Sequence, residues 1–262
     1  MESQNQSLYR SSAIVNYYQY LTQLQPAEKT ILEKLQPQLS EFKMLDIGVG
    51  GGKTTTHYAP LVKEYYGIDY SPEMIAACQA KFSSTLPQDN FQVLDARDLS
   101  QFADNSFDFI LFSFNGIDSV KNSDRQKIFS EVARIGKPDA YFAFSTHNLY
   151  AMIRAFRLQT HLRWNPITTY INLFVWVVLR FTNLSKTIKK LKNSDFCIVR
   201  DESHDFRLQN FYIKPEVQLE QLAAYFQDIE LYSWKSGNKI ESMEDAAIDS
   251  NFWLYYLCRV IK

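Results

Sequence analysis

Cysteine is scarce in this chain of 262 residues, and the three present, Cys78, Cys197 and Cys258, stand far apart without paired spacing. That excludes a disulfide framework and a clustered-thiolate zinc site, and it suits a reducing compartment. An excess charge of either sign is also lacking. The 28 basic and 29 acidic residues leave a formal charge of -1, so no global field recommends nucleic acid as a ligand. The opening MESQNQSLYR has neither the basic start nor the apolar core of a secretory signal, and a cytoplasmic location is expected. No apolar run approaches the roughly 20 residues of a spanning helix. The longest, INLFVWVVL, covers residues 171–179 and reads most simply as part of a buried helix, so a membrane is not an expected partner. No group of His, Cys or carboxylates has metal-ligand spacing, and no metal is expected.

What the chain does have is apolar and aromatic material, at 46% and 15%, enough for a sizeable core. Residues 8–39 read as one or two helices, with Pro37 as a stop. The runs KMLDIG, EYYGID, NFQVLD, FDFILFSF and AYFAFSTH then alternate with helical stretches. Such alternation builds a parallel sheet covered on both faces. Ser71 and Pro72 open one helix, and Ser123 with Gln126 forms a capping box ahead of another. Towards the end PEVQLEQLAAYF is helical in period, and IELYSWKSG and FWLYYLCRVI supply two more strands as an antiparallel pair, seven in all.

About 60 residues after AYFAFSTH break the alternation, too many for an ordinary connection, and a cap is expected there. Between Asn148 and Lys192 there are eight Arg and Lys residues and no Asp or Glu. The division is residues 1–147 for N-terminal helices and the first part of an α/β core, 148–210 for the cap, and 211–262 for the rest of the core.

The loop MLDIGVGGG, residues 44–52, carries the chemistry. Glycines at 48, 50 and 52 allow a tight turn and a close approach of backbone to ligand. A dinucleotide fingerprint would need glycine at 53 or 55, where Lys53 and Thr55 stand. A phosphate-binding loop ending in Gly52-Lys53-Thr54 would need glycine where Ile47 stands. Asp46-x-Gly48-x-Gly50-x-Gly52 instead resembles motif I of the class I S-adenosylmethionine-dependent methyltransferases.

That resemblance implies a Rossmann-like α/β fold with a seven-stranded sheet, helices on both faces and a mainly helical cap after the fifth strand. It implies S-adenosylmethionine as cofactor and assigns Asp46, Gly48, Gly50 and Gly52 to the loop. Asp69, 23 residues on, would take the ribose hydroxyls, and Tyr70 and Met74 would cover the adenine. Asp95 and Ala96 would read the adenine amino group. Ser113, Phe114 and Asn115 would lie beneath the methionine part and the reacting centre. Asp139-Ala140 departs from the frequent Gly-Gly of the turn before the fifth strand. The likeness covers residues 44 to about 146 well and the last 50 loosely.

The activated sulfonium leaves the protein to position an acceptor in line and exclude water. His147, directly after the fifth strand, and His204, in RDESHDF, are candidate bases, each with a structural reading beside it. Asn115 joins them as a candidate catalytic residue. Tyr18, Asp118 and Tyr212 are candidate acceptor contacts. SFNG replaces the Asn-Pro-Pro-Tyr sequence of amino-methylating DNA enzymes, so a small-molecule acceptor is expected, with nitrogen slightly favoured over oxygen because the pocket candidates are aromatic and acidic and show no clear base. Three alternatives stay open: an O-methyltransferase of a small metabolite, a membrane-surface enzyme acting on a lipid-like acceptor, and a cofactor-binding protein without turnover. Either a monomer or a homodimer is compatible with the sequence.

Overall fold

The structure is a computed structural model that describes Asn5, residues 11–203 and residues 205–261. His204 lies outside the described residues.

Seven strands form the core sheet: β1 (Lys43–Ile47), β2 (Glu64–Asp69), β3 (Phe91–Val93), β4 (Phe107–Phe112), β5 (Gly136–Asn148), β8 (Phe226–Ser233) and β10 (Trp253–Val260). They lie in the order β3-β2-β1-β4-β5-β10-β8, the first five parallel and β10 antiparallel to both neighbours. All seven strands read from the sequence are present. The short strand β9 (Lys239–Ile240) adds a further hairpin on β8.

The sheet is buried on both sides, and the period of two divides each strand between two cores. Leu45, Ile47, Ile110, Phe112, Phe142 and Phe144 face Ile128, Phe129, Val132 and Ile135 of the helix Asn122–Ile135. Met44, Phe109, Leu111 and Ala143, the alternate positions, face Ala27, Ile31, Leu35 and Leu39 of the helix Pro26–Leu39. The four-residue spacing of that second set places it on one stripe of the helix. Cys78 and Cys258 lie within these cores, and Cys197 is buried as well.

In chain order the helices are α1 (Ser12–Tyr20), α2 (Pro26–Leu39), α3 (Lys53–Tyr58), α4 (Pro72–Lys81), α5 (Asn122–Ile135), α6 (Leu149–Ala155), α7 (Pro166–Thr182), α8 (Ile188–Lys192), α9 (Pro215–Leu222) and α10 (Met243–Ile248). Ser71 caps α4 by accepting from the Met74 N–H, as its position suggests. Two boundary expectations fail. Pro37 does not stop α2, which runs two residues further, because a proline in the last turn removes only one intrahelical bond. Ser123 caps nothing, because α5 already begins at Asn122, with Asp124 in its first turn. Asp139 takes the left-handed φ of 66° for which the family's glycine is suited, a conformation that aspartate tolerates better than most residues.

The segment after β5 departs further from expectation. Beside α6, α7 and α8 it contains two strands, β6 (Phe196–Val199) and β7 (Asn210–Ile213), paired antiparallel. β7 also runs parallel to the end of β5, with Tyr212 opposite His147. The insertion is therefore partly an extension of the sheet. Nor is its longest helix buried: in α7 only Leu179 is. Among the described residues no helix is long and apolar enough to cross a membrane.

Candidate active site

At the carboxyl ends of the parallel strands, where open α/β sheets bind their ligands, lies a cleft of about 910 Å³ counting its open mouth. Gly48 and Gly50 form its floor with φ of 66° and 54°, a backbone that L side chains rarely adopt. Gly51 serves a different purpose. A Cβ there would stand 2.5 Å from the backbone of Tyr18 and Gln19, so its absence lets the end of α1 rest on the loop. Tyr18 thereby reaches the cleft wall, whereas Tyr17 and Tyr20 point to solvent. Asn5, also on the wall, exchanges hydrogen bonds with both backbone groups of Gln209.

Asp69 closes the end of β2 and lines the cleft. Its oxygens accept from Ser71 N at 2.9 Å and Gly50 N at 3.0 Å. Burial nevertheless outweighs those bonds and pushes its carboxyl up to about 6. Tyr70, Met74, Ala96, Ser113 and Phe114 line the same cleft. Asp95 does too, but Arg97 grips its carboxylate with Nε at 2.9 Å and Nη2 at 2.6 Å. Partial burial raises the Asp95 carboxyl, and the Arg97 hydrogen bonds outweigh that and hold it below its ordinary value. Asp95 is thus engaged by a residue that the sequence did not single out.

Asp46 and Gly52 stand behind the cleft wall. Asp46 is buried beneath the loop, bonded to Thr54 and, at 2.7 Å, to the Tyr65 hydroxyl. Desolvation pushes its carboxyl up to about 7. Gly52 precedes α3 with a φ of 76°, packed against Phe82. Both shape the loop from behind.

After β4 the backbone turns through two consecutive left-handed residues, Phe114 at φ 56° and Asn115 at φ 57°. Each such non-glycine residue costs about 1–3 kcal/mol, and such strain concentrates at functional sites. The turn sets Phe114 edge-on to Tyr18 at 6.0 Å and to Trp253 at 4.9 Å, and Trp253 stacks on Trp234 at 4.3 Å. It also brings Asn115 Nδ2 to 3.4 Å from His147 Nε2. His147 Nδ1 lies 2.6 Å from Asp118 Oδ2. Donation of the Nδ1 proton to that carboxylate leaves Nε2 with a lone pair directed at Asn115.

Asp118 is therefore not an acceptor contact on the cleft wall. It is fully buried, takes hydrogen bonds from Thr146 Oγ1 at 2.6 Å and the His147 N–H at 2.8 Å, and pairs with buried Arg125. Tyr212 is likewise buried, its hydroxyl bonded to Asp201 and its ring 4.6 Å from His147. These two residues position the histidine.

A second buried group lies below Phe114. Lys53 Nζ is 2.7 Å from both oxygens of Glu28 and 4.5 Å from the Phe114 ring centre. Ser113 and Tyr255 also bond to Glu28. Glu28 carried no motif signal, and Lys53 was visible only as the ending of a failed phosphate loop. Among the described residues no three His, Cys, Asp or Glu side chains are grouped to hold a metal ion.

The positive-φ glycines, the acid ending β2 and the apolar sleeve fit an adenosine-bearing cofactor, with backbone rather than side chains against the ligand. A family model described as a methyltransferase domain matches residues 45–144, the stretch that builds this cleft. Residues 45–144 form a class I S-adenosylmethionine-dependent methyltransferase domain. The domain is similar to an uncharacterized methyltransferase, YcgJ, of Bacillus subtilis (strain 168), 34% identical over 110 residues. That match covers 41% of this chain and 42% of the relative, so the chain spans less than half the length of that protein. Solved structures extend the likeness in fold. An S-adenosylmethionine-dependent methyltransferase from Mesorhizobium loti superimposes with a TM-score of 0.58 at 16% identity, over 89% of this chain and 97% of that one. The N-methyltransferase NodS from Bradyrhizobium japonicum WM9, in complex with S-adenosyl-L-homocysteine, gives 0.52 at 12% identity, over 90% and 86%. The methyltransferase domain supplies the cleft floor and Asp69, whereas α1 brings Tyr18 to the cleft wall and β10 sets Trp253 against Phe114 from outside the matched residues.

Proposed function

We propose that the protein transfers the methyl group of S-adenosylmethionine to a small-molecule acceptor that gives up a proton to His147. The observation that carries this reading is the Asp118–His147–Asn115 arrangement, in which the carboxylate holds one ring nitrogen and the other lies 3.4 Å from Asn115 Nδ2, directly behind Phe114 of the cleft wall, so that Asn115 stands between His147 and the cleft. The cofactor supplies a methyl group already activated by the positive sulfur. The chain's own task is to hold the acceptor in line within about 3–3.5 Å of that methyl and to keep water out. Phe114, Tyr18 and Trp253 give an aromatic surface for this purpose, and residues 148–210 serve as the acceptor-facing cap.

The preference for nitrogen rested on aromatic and acidic pocket candidates and on the lack of a clear base. Asp118 is buried away from the cleft, and an oriented histidine weighs against the second ground, because a neutral amine has a free lone pair and needs none. The reading is therefore an acceptor with a proton to lose, a hydroxyl or an ammonium. Three buried, mutually unpaired cysteines support a cytoplasmic setting. A labelled-methyl assay across phenols, carboxylates and amines, run on wild type and on His147→Asn, tests the proposal. Equal turnover by the two proteins on every acceptor that gains label would sink it. Cofactor binding without transfer to any acceptor in a metabolite extract would favour the non-catalytic alternative.

A further inference from the structure

Helix α7 presents the unexplained surface of this molecule. Ile167, Tyr170, Ile171, Phe174, Val177 and Phe181 recur at spacings of three and four and all are exposed, Tyr170 to 74%, Phe174 to 64% and Phe181 to 72%. At 100° per residue they fall within an arc of about 120°, the width of a stripe that normally faces a core. Trp164 at one end and Leu184 at the other extend it, both exposed. The opposite face is the packed one: Trp176 Nε1 donates to the Phe156 carbonyl, and Val175 and Leu179 wall a cavity shared with Met152, Phe206 and Phe252.

Charge decides what covers the stripe. Exposed Arg157 and Arg163 precede the helix, exposed Lys189, Lys190 and Lys192 follow it, and no Asp or Glu occurs between Asn148 and Lys192. In an antiparallel pair of α7 helices from two copies, the arginine end of each would meet the lysine end of the other, cation against cation. In a parallel pair, like ends would meet. A surface that is apolar inside and negative at its rim satisfies both features, as an anionic lipid leaflet does. The helix has 17 residues, about 25 Å in length, short of a span.

We propose that α7 is an interfacial anchor which seats the protein on anionic lipid, its apolar stripe among the upper acyl chains and its flanking cations at the headgroups. Trp164 and Tyr170 have the amphipathic rings favoured at that depth. The buried face of α7 then lies between the bilayer and the cavity, whose wall includes Asp201, the partner of Tyr212 beside His147. This anchoring is independent of which acceptor is methylated.

Flotation of the full chain with phosphatidylcholine vesicles, with and without roughly one third phosphatidylserine, tests it. The expected result is flotation with the anionic vesicles at low salt, loss of it in high salt, and none with phosphatidylcholine alone. Phe174→Glu should abolish flotation while leaving S-adenosylhomocysteine affinity and circular dichroism unchanged. Lys189→Gln with Lys190→Gln should weaken binding about fivefold for each charge removed. Should Phe174→Glu fail to fold, quenching of Trp164 fluorescence by brominated lipid, with Trp164→Phe as the reference, reads the same contact in the wild-type helix. Wild type that stays with the unbound protein at low salt overturns the proposal. So does a stable dimer that Phe174→Glu dissociates without any vesicle binding, which would assign the stripe to a second copy. Flotation unaffected by Phe174→Glu, with no quenching of Trp164, overturns it too.

Discussion

Asp118 and His147 form a buried pair in which the carboxylate accepts both the backbone N–H and the Nδ1 proton of the same histidine, at 2.8 and 2.6 Å. Two bonds from one residue to one carboxylate fix both the tautomer and the ring plane, so that Nε2 has a single outlook, towards Asn115. A general base of this kind contributes about 10²–10⁴ in rate. His147→Asn is therefore expected to lower kcat by that order while leaving S-adenosylhomocysteine affinity nearly unchanged, since His147 does not line the cofactor cleft. Steady-state kinetics and calorimetry on the same preparation check the two halves. A variant that lost cofactor affinity and kept kcat would return His147 to a structural role.

If Asp69 holds the ribose, as its place in the cleft suggests, cofactor binding should depend on pH. Its folded pKa of about 6 is raised by burial, and only the ionised carboxylate offers all its lone pairs to two ribose hydroxyls. Affinity for S-adenosylhomocysteine should be constant above neutrality and fall as pH drops through about 6, roughly tenfold for each unit below. For the free protein the sign is opposite. Carboxyls whose folded pKa is raised contribute stability that is full below their unfolded value near 4 and is lost as pH rises, through about 6 for Asp69 and about 7 for Asp46. Titration calorimetry and thermal melts between about pH 5 and pH 8 should show affinity and apo stability moving in opposite directions. Affinity that is flat through pH 6 would remove Asp69 from the ribose.

The seven core strands were legible in the sequence because each is a short apolar run between helical stretches, a pattern local to a few residues. The cleft residues were legible for a related reason: Gly48, Asp69 and Phe114 sit at fixed distances from strand ends, so spacing finds them. Asp118 was misjudged because burial is not local. Nothing in GIDSV reveals that Arg125, Thr146 and His147, from two other elements, converge on its oxygens. Glu28 is hidden in the same way, as a first-turn acid of an ordinary helix, until Lys53 and Tyr255 surround it. The apolar run of α7 was noticed and read as buried, because an apolar run does not reveal whether the chain supplies a cover for it.

Gly51 gives a test of the contact between α1 and the glycine loop. Its missing Cβ is what allows α1 to lie on the glycine loop, the contact being with backbone at 2.5 Å that no rotamer change can relieve. Gly51→Ala should lift the end of α1, withdraw Tyr18 from the cleft and slow catalysis by admitting water, with little change in overall stability since α1 buries few side chains. Hydrogen exchange at residues 14–20 should rise relative to wild type. Unchanged exchange there, with unchanged kcat, would mean that α1 does not depend on the loop.

The Glu28–Lys53 pair predicts a specific pattern of non-additivity. Both side chains are almost wholly buried, so Lys53→Met leaves a carboxylate with no counter-charge and should cost about 3–5 kcal/mol in urea unfolding. Glu28→Gln strands the ammonium instead and should cost a similar amount. Combining the two substitutions removes both charges from the core, and the double variant should be more stable than either single one, recovering most of the loss. Additive losses in the cycle would show that the pair is not coupled and that Ser113, Tyr255 and the Gln25 N–H hold the Glu28 carboxylate without Lys53. Because Lys53 also lies on the Phe114 ring, the double variant separates stability from function. Its fold should return while the left-handed turn at Phe114 and Asn115 loses a supporting contact, and kcat should stay below wild type with the cofactor still bound.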